Sequence, residues 1–293
     1  MDNPQLIYEG PDASYLSKPR APLILLHDGG GTTFSYHCLN PINRSLYGIQ
    51  NAHLDAGGYW DGGIPEMAAH YISLIESVVP RGSEILLGGW SLGGLLSLEV
   101  AHQLAARKQA KGRDGARDIT VIGMVWIDSI YPKKLSEFRD MPDPEKGPVQ
   151  KSESELKEMK LKEKVALNMT HARMMVMKWP LPTWKGCEDA VPPTILMRAK
   201  ELVVHKEENG KVENDDQENE VGGEKKENGK SFVDYTREFR MLGWDEYTKE
   251  RASFIKQVVD IEGHHFSIFH EDHLDDITAK IEAAADWLDP PEF

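Results

Sequence analysis

The sequence predicts an α/β fold with a mostly parallel central sheet and a helical insertion above it. Three observations carry that expectation. Short apolar runs of strand length alternate with stretches of helical periodicity; two of those runs, Leu23–Leu26 and Glu84–Gly88, open into glycine-rich turns; and the strongly apolar run Val121–Ile127 ends directly at Asp128. With 293 residues, 40% of them hydrophobic and 28% charged, the chain can bury one substantial core and is read as a single domain over residues 1–293.

Composition removes several function classes. Lys and Arg total 34 against 48 Asp and Glu, a formal net charge of −14, which opposes an extended nucleic-acid surface or adhesion to anionic lipid. No apolar run approaches the roughly 18 residues of a membrane span, and the amino end lacks a basic segment followed by a signal-peptide core. Two cysteines, Cys38 and Cys187, supply neither a disulfide framework nor spaced metal ligands. The expectation is a soluble, cytoplasmic, metal-free protein.

In chain order, Leu23–Leu26 reads as a buried strand entering the loop His27-Asp28-Gly29-Gly30-Gly31-Thr32. Leu46–Ile49 is a second strand, followed by a polar stretch with His53 and Asp55. From Pro65, apolar residues Ala68, Tyr71, Ile72, Ile75 and Val79 recur at helical spacing, with proline in a first turn where its missing N–H costs little. Pro80 and Gly82 end that helix. Glu84–Gly88 is a strand, and a helix running to about Arg107 follows the turn after it. Val121–Ile127 is the next strand. Residues 132–187 read as an irregular helical lid, with a charged helix from Ser152 to about Trp179. Thr194–Met197 resumes the sheet. Residues 206–231 hold nine acidic and five basic residues and no aromatic, so the segment cannot offset its ordering entropy by apolar burial and is expected to be a mobile surface insertion. Phe254–Ile261 supplies a late strand, and Asp272–Leu288 a terminal helix.

Gly89-Trp90-Ser91-Leu92-Gly93 matches the G-x-S-x-G nucleophile elbow, and it lies between the strand and helix that the mechanism requires. Small residues on both sides of the serine let strand and helix approach, so that a strained turn projects Ser91 Oγ and the Leu92 N–H can face a developing oxyanion. The alternative is a glycine-rich turn with an inert capping serine. A phosphate-binding loop is less expected still, because no G-K-[ST] follows the glycines. In α/β-hydrolases acid and base follow the serine in that order, which Asp128 and His265 satisfy. Asp128 could instead cap the next segment, and His264 competes with His265. Asp28 is read as shaping its turn rather than as the triad acid, and His27 as satisfying local hydrogen bonds or lining the pocket. Neither His53 with Asp55 nor the set His264, His265, His270 and His273 has a diagnostic metal arrangement. A backbone donor at Gly29 or Gly30 completes the expected oxyanion hole beside Leu92.

Together, Leu25–Thr32, Gly88–Gly94, Ile127-Asp128-Ser129 and Gly263-His264-His265-Phe266-Ser267 resemble the thioesterase domains of fungal polyketide synthases and related nonribosomal peptide synthetases. The matching pieces span most of the chain. The resemblance implies an α/β-hydrolase with Ser91 as nucleophile, Asp128 as acid and His265 as base. It also implies a lid after Asp128 and a substrate thioester delivered on the phosphopantetheine arm of an acyl carrier protein, with no cofactor of the domain's own. The product would be a polyketide or related acyl chain, released by hydrolysis or cyclisation. Lid residues Met159, Met169, Met174, Met175, Met177, Trp179 and Trp184 would line the acyl cavity or pack the lid, and Lys133 and Lys134 could meet the carrier. A small-molecule esterase or lipase, and a catalytically silent acyl-binding or carrier-interaction domain, are the competing readings.

Overall fold

The computed structural model describes residues 2–12, 16–112, 118–132, 147–203, 207–208, 211–212, 231–249 and 253–292. Its elements in chain order are β1 (Gln5–Tyr8), β2 (Leu23–Leu26), α1 (Phe34–His37), β3 (Leu46–Ile49), α2 (Gly63–Val78), β4 (Glu84–Trp90), α3 (Leu92–Lys111), β5 (Thr120–Ile127), α4 (Glu153–Glu158), α5 (Leu161–Lys178), β6 (Thr194–Ala199), β7 (Glu207–Glu208), β8 (Lys211–Val212), α6 (Asp245–Thr248), β9 (Ile255–Ile261) and α7 (Leu274–Leu288). Seven strands form one sheet in the order β1-β3-β2-β4-β5-β6-β9. All neighbours pair in parallel except β1, which runs antiparallel to β3.

A parallel sheet needs cover on both faces, and the strands' alternation supplies it. Ile24, Leu26, Ile85, Leu87, Met124 and Trp126 pack in one cluster with residues of α2 and α3. Their sequence neighbours Leu23, Leu25, Leu86, Val125 and Ile127 pack in the other, with Ile277, Ile281 and Ala285 of α7. Because β2, β4 and β5 run the same way, their carboxyl ends deliver His27-Asp28, Ser91 and Asp128 to one edge of the sheet, where ligands of such folds bind.

Three expectations are refined. The edge strand β1 was not anticipated, since its four half-buried or exposed residues behind a proline carry no strong apolar signal. The lid helix is not continuous: Met159 and Lys160 are extended, with ψ of 133° and 159°. The cause is a second start signal, because Glu163 Oε2 accepts the Lys160 N–H at 2.7 Å just as Glu155 Oε2 accepts that of Ser152 at 2.7 Å. Within the acidic segment, β7 and β8 form a minimal antiparallel ladder, Glu207 opposite Val212 and Glu208 opposite Lys211. The rest of that segment up to Ser231, together with Lys133 and Lys134, lies outside the described residues. Among the described residues, no helix is long and apolar enough to cross a membrane.

Buried polar contacts fix α5 over the sheet edge. Asn51 Nδ2 donates to Asn168 Oδ1 at 3.0 Å, His171 Nδ1 donates to the Gly57 carbonyl at 2.7 Å, and Trp179 Nε1 donates to Glu99 Oε2 at 2.9 Å. These bonds tie α5 and the residue after it to the segment after β3 and to α3.

Candidate active site

Ser91 occupies the turn between β4 and α3 with φ 55° and ψ −112°, a conformation that costs a non-glycine residue of order 1–3 kcal/mol. The surrounding glycines are what make it reachable. A Cβ on Gly93 would lie 2.3 Å from the Leu26 carbonyl oxygen, and one on Gly94 would lie 2.1 Å from Ser129 Oγ. The Ser91 N–H donates to the Ile127 carbonyl at 2.9 Å, pinning the elbow to β5. Tyr36 ties the same turn to β2: its hydroxyl accepts the Trp90 N–H at 2.8 Å and donates to the Leu26 carbonyl at 2.6 Å. Leu92 begins α3, so its N–H is at the free amino end of a 20-residue helix.

Asp128 and His265 meet, although 137 residues separate them. His265 Nδ1 donates to Asp128 Oδ2 at 2.7 Å, which leaves Nε2 as the basic nitrogen. The sequence favoured His265 over its neighbour His264, and it is His265 that meets Asp128. His264 is held locally instead, its ring Nδ1 accepting the Phe266 N–H at 3.3 Å. The rings of Trp90 and Phe266 lie 5.4 Å and 4.9 Å from that of His265, fixing its plane. Asp128 is fully buried and adopts φ 48°, which aspartate tolerates better than most residues. Its Oδ1 accepts the Ala199 N–H at 2.9 Å.

Sequence reasoning missed Arg237. Its guanidinium donates to both oxygens of Asp128, through Nη1 to Oδ1 and through Nη2 to Oδ2 at 2.7 Å. Burial pushes the Asp128 carboxyl up, but the bonds and charge of Arg237, with His265, hold it well below the usual carboxylate range. That shift favours the ionised form of Asp128.

The first loop narrows the oxyanion donors. Gly30 was one of two expected, yet its N–H already donates to Asp28 Oδ1 at 3.1 Å, and the Gly31 N–H donates to the Asp28 carbonyl at 3.1 Å. Gly29, in contrast, borders the same chamber as Ser91 and Leu92. Asp28 thus shapes its turn, as expected, and burial pushes its carboxyl up to about 6. His27 is buried, with both nitrogens engaged: Nδ1 donates to the Asp28 carbonyl at 2.6 Å and Nε2 accepts the Tyr71 hydroxyl at 2.6 Å. Burial pushes it down to about 4, so it stays neutral at pH 7.

The chamber beside Ser91 is about 50 Å³ and almost wholly apolar, roofed by Met169, Ala172, Arg173 and Val176 of α5 and by Phe232 and Val233. Of the lid methionines and tryptophans singled out in the sequence, only Met169 lines it. Met175, Trp179 and Trp184 pack into the core instead, where lid helix and α3 meet. His53 stacks on Trp60 with ring centroids 3.8 Å apart, and Asp55 pairs with Lys164 at 2.6 Å, so those side chains have structural partners. A larger cavity of about 700 Å³ lies between the end of α3 and residues 186–193, bordered by Thr120 and Val121. Those residues begin β5, so it opens at the opposite end of the strands from Ser91 and does not bear on this site.

Comparison with known proteins gives a consistent result. The family described as "Thioesterase domain" matches residues 21–285. The chain is 36% identical to thioesterase frbE of Dothideomycetidae sp. (strain 11243), over 99% of this chain and 97% of that one. It is 32% identical to the probable thioesterase gloN of Glarea lozoyensis, over 92% and 91% of the two chains. Among solved structures, the NocB thioesterase domain from the nocardicin cluster superposes with a TM-score of 0.56 at 20% identity, over 90% of this chain and 93% of that one. That last likeness shows the α/β-hydrolase fold.

Proposed function

The chain belongs to the thioesterase domain family, and from that premise we propose that it releases a polyketide or related acyl chain from an acyl carrier protein through an acyl-enzyme on Ser91. The observation that carries the reading is the 2.7 Å bond from His265 Nδ1 to Asp128 Oδ2 at the sheet edge that also presents the Ser91 elbow. Support for carrier delivery comes from the fold's occurrence in a four-domain nonribosomal peptide synthetase, which aligns with 97% of this chain at a TM-score of 0.54.

In this mechanism His265 Nε2 takes the proton of Ser91 Oγ as the oxygen attacks the thioester carbonyl. Asp128, already ionised, holds the Nδ1 tautomer and stabilises the imidazolium. The oxyanion is received by the N–H groups of Leu92 and Gly29; losing one such donor costs about 2.7–4 kcal/mol of transition-state stabilisation. The carbon–sulfur bond then breaks, and His265 returns the proton to the departing phosphopantetheine thiol. Water deprotonated by the same imidazole releases an acid. A nucleophile within the chain releases a ring instead.

The test is intact-mass spectrometry after mixing with an acyl thioester. The wild-type protein gains one acyl mass that maps to Ser91, and Ser91→Ala gains none. Equal acylation of both proteins rejects the mechanism. Turnover of a carrier-bound chain well above that of the matching oxygen ester separates a thioesterase from a small-molecule esterase.

A further inference from the structure

We propose that Arg237 is a positioning residue of this active site, acting through Asp128 to fix the carboxylate and to set how strongly the Asp128–His265 pair holds a proton. The inference rests on the Ser91–His265–Asp128 reading above and extends it by two residues.

The geometry is that of a fork laid across a carboxylate, the strong bidentate form of an Arg–Asp pair. Besides its two bonds to Asp128, Arg237 Nη1 donates to the Ala199 carbonyl at 3.2 Å, and its Nε faces Asp234 Oδ1 at 3.4 Å. Arg237, Asp128 and Asp234 are 4%, 0% and 1% exposed, so water does little to screen them from one another. With Arg237 on one side, His265 and the Ala199 N–H on the other, the carboxylate cannot rotate away from the imidazole. Asp234 is itself held, accepting the Val203 N–H at 2.7 Å. A chain of alternating groups results, His265–Asp128–Arg237–Asp234.

Counting formal charges gives the functional consequence. With His265 neutral, Asp128, Arg237 and Asp234 sum to −1; the imidazolium brings the set to zero. Arg237 weakens the pull of Asp128 on a proton, and Asp234 restores part of it. Other charged groups around the pair are Asp28 on the first loop, whose carboxyl feels the charge of His265, and, beyond Arg237, the set Arg198, Asp260 and Arg240. These are common to every variant compared below.

The deciding property is sign. Arg237→Gln removes the cation that offsets Asp128, so the acidic limb of kcat/KM moves up by about one pH unit, whereas Asp234→Asn, which lies beyond Arg237 from the imidazole, moves it down by a smaller amount. Arg237→Gln also loses about 10²-fold in kcat, the lower range of what an oriented acid–base group contributes, with KM little changed. Arg237→Lys keeps the charge and loses the fork: kcat falls while the limb stays near its wild-type position. A residue that merely held the fold would not shift the limb in opposite directions in Arg237→Gln and Asp234→Asn. The same shifts are read without substrate by imidazole NMR titration in a Ser91→Ala background, so they report on Arg237 even if Ser91 proves not to be the nucleophile. Should Arg237→Gln fail to fold, Asp234→Asn and Arg237→Lys still decide. Opposite shifts in Arg237→Gln and Asp234→Asn with the Arg237→Lys limb unmoved, or, where Arg237→Gln does not fold, a downward shift in Asp234→Asn with none in Arg237→Lys, support the proposal. Coincident limbs in folded variants, shifts of one sign, or a limb displaced in Arg237→Lys overturn it.

Discussion

Asp28 and Asp128 stand in like places and behave in opposite ways. Each lies at the carboxyl end of a parallel strand, Asp28 after the histidine that follows β2 and Asp128 directly after β5, and each feels the charge of His265. Asp128 has a guanidinium across both its oxygens and a carboxyl held far down; Asp28 is held, among the described residues, by amide donors such as the Gly30 N–H, and burial lifts it to about 6. Position on the sheet does not decide what a carboxylate can do. The partner that accompanies it into the interior does, and this separates a permanent anion from a group that titrates near neutrality.

The sharpest way to break that contrast is to neutralise each group in turn. Asp128→Asn removes the anion that orients and stabilises the imidazole, and kcat is expected to fall by about 10⁴, the loss seen when a triad aspartate is replaced in serine proteases. Asp28→Asn keeps an oxygen for the Gly30 N–H and is expected to cost less than about tenfold, since no proton-transfer role is removed. Steady-state kinetics of the two folded variants on one thioester give the comparison. Losses of equal size would mean that the two carboxylates share the work.

A second contrast separates burial of a charge pair from its use. Arg44, like Arg237, is buried between two carboxylates: Nη1 meets Asp289 Oδ2 and Nη2 meets Asp286 Oδ1, both at 2.9 Å. That cluster ties the start of β3 to the end of α7, away from the Ser91 edge. Arg44→Met leaves Asp289 buried without its cation, and a broken buried pair costs about 3–5 kcal/mol. Chemical denaturation should show that loss while kcat per folded molecule stays at the wild-type value. A fall in kcat would show that the two arginines are not distinguishable by function.

These contrasts also mark what could be read before any coordinates. The elbow was legible because its requirements are local: Gly89, Ser91 and Gly93 sit within five residues, between a strand and a helix whose periodicities change at that point. Asp128 and His265 were legible through their order along the chain and the apolar run before the aspartate. Arg237 was not. Its partner is 109 residues away, it follows a long acidic stretch, and nothing in a lone arginine beside Thr236 and Glu238 distinguishes a buried fork from a solvated surface charge. The choice between Gly29 and Gly30 was out of reach for a similar reason, because it depends on which amide the Asp28 carboxylate takes. Likewise, Met159-Lys160 breaks the lid helix by a capping preference that competes with an otherwise unbroken run of helix formers.

The smallest effect tests the premise that Asp28 is desolvated. Burial raises its carboxyl from the ordinary aspartate value to about 6, so the folded state binds that proton more tightly than the unfolded chain does. A raised value contributes stability that is fully present below about 4 and is lost as pH rises through 6. Asp128, shifted the other way, contributes stability above about 4 that is lost only in stronger acid, outside this window. His27, pushed down to about 4, does titrate within it, and with the opposite slope: its contribution is lost as pH falls from 6.5 through 4. The raw curve of stability against pH therefore mixes two slopes, but the difference between wild type and Asp28→Asn cancels the histidine. That difference should favour the variant by about 1–2 kcal/mol more at pH 7 than at pH 4, allowing for the partial exposure of the side chain. Urea midpoints at half-unit steps across the interval measure it, and a flat difference would mean that Asp28 keeps its water and that the contrast with Asp128 rests on Arg237 alone.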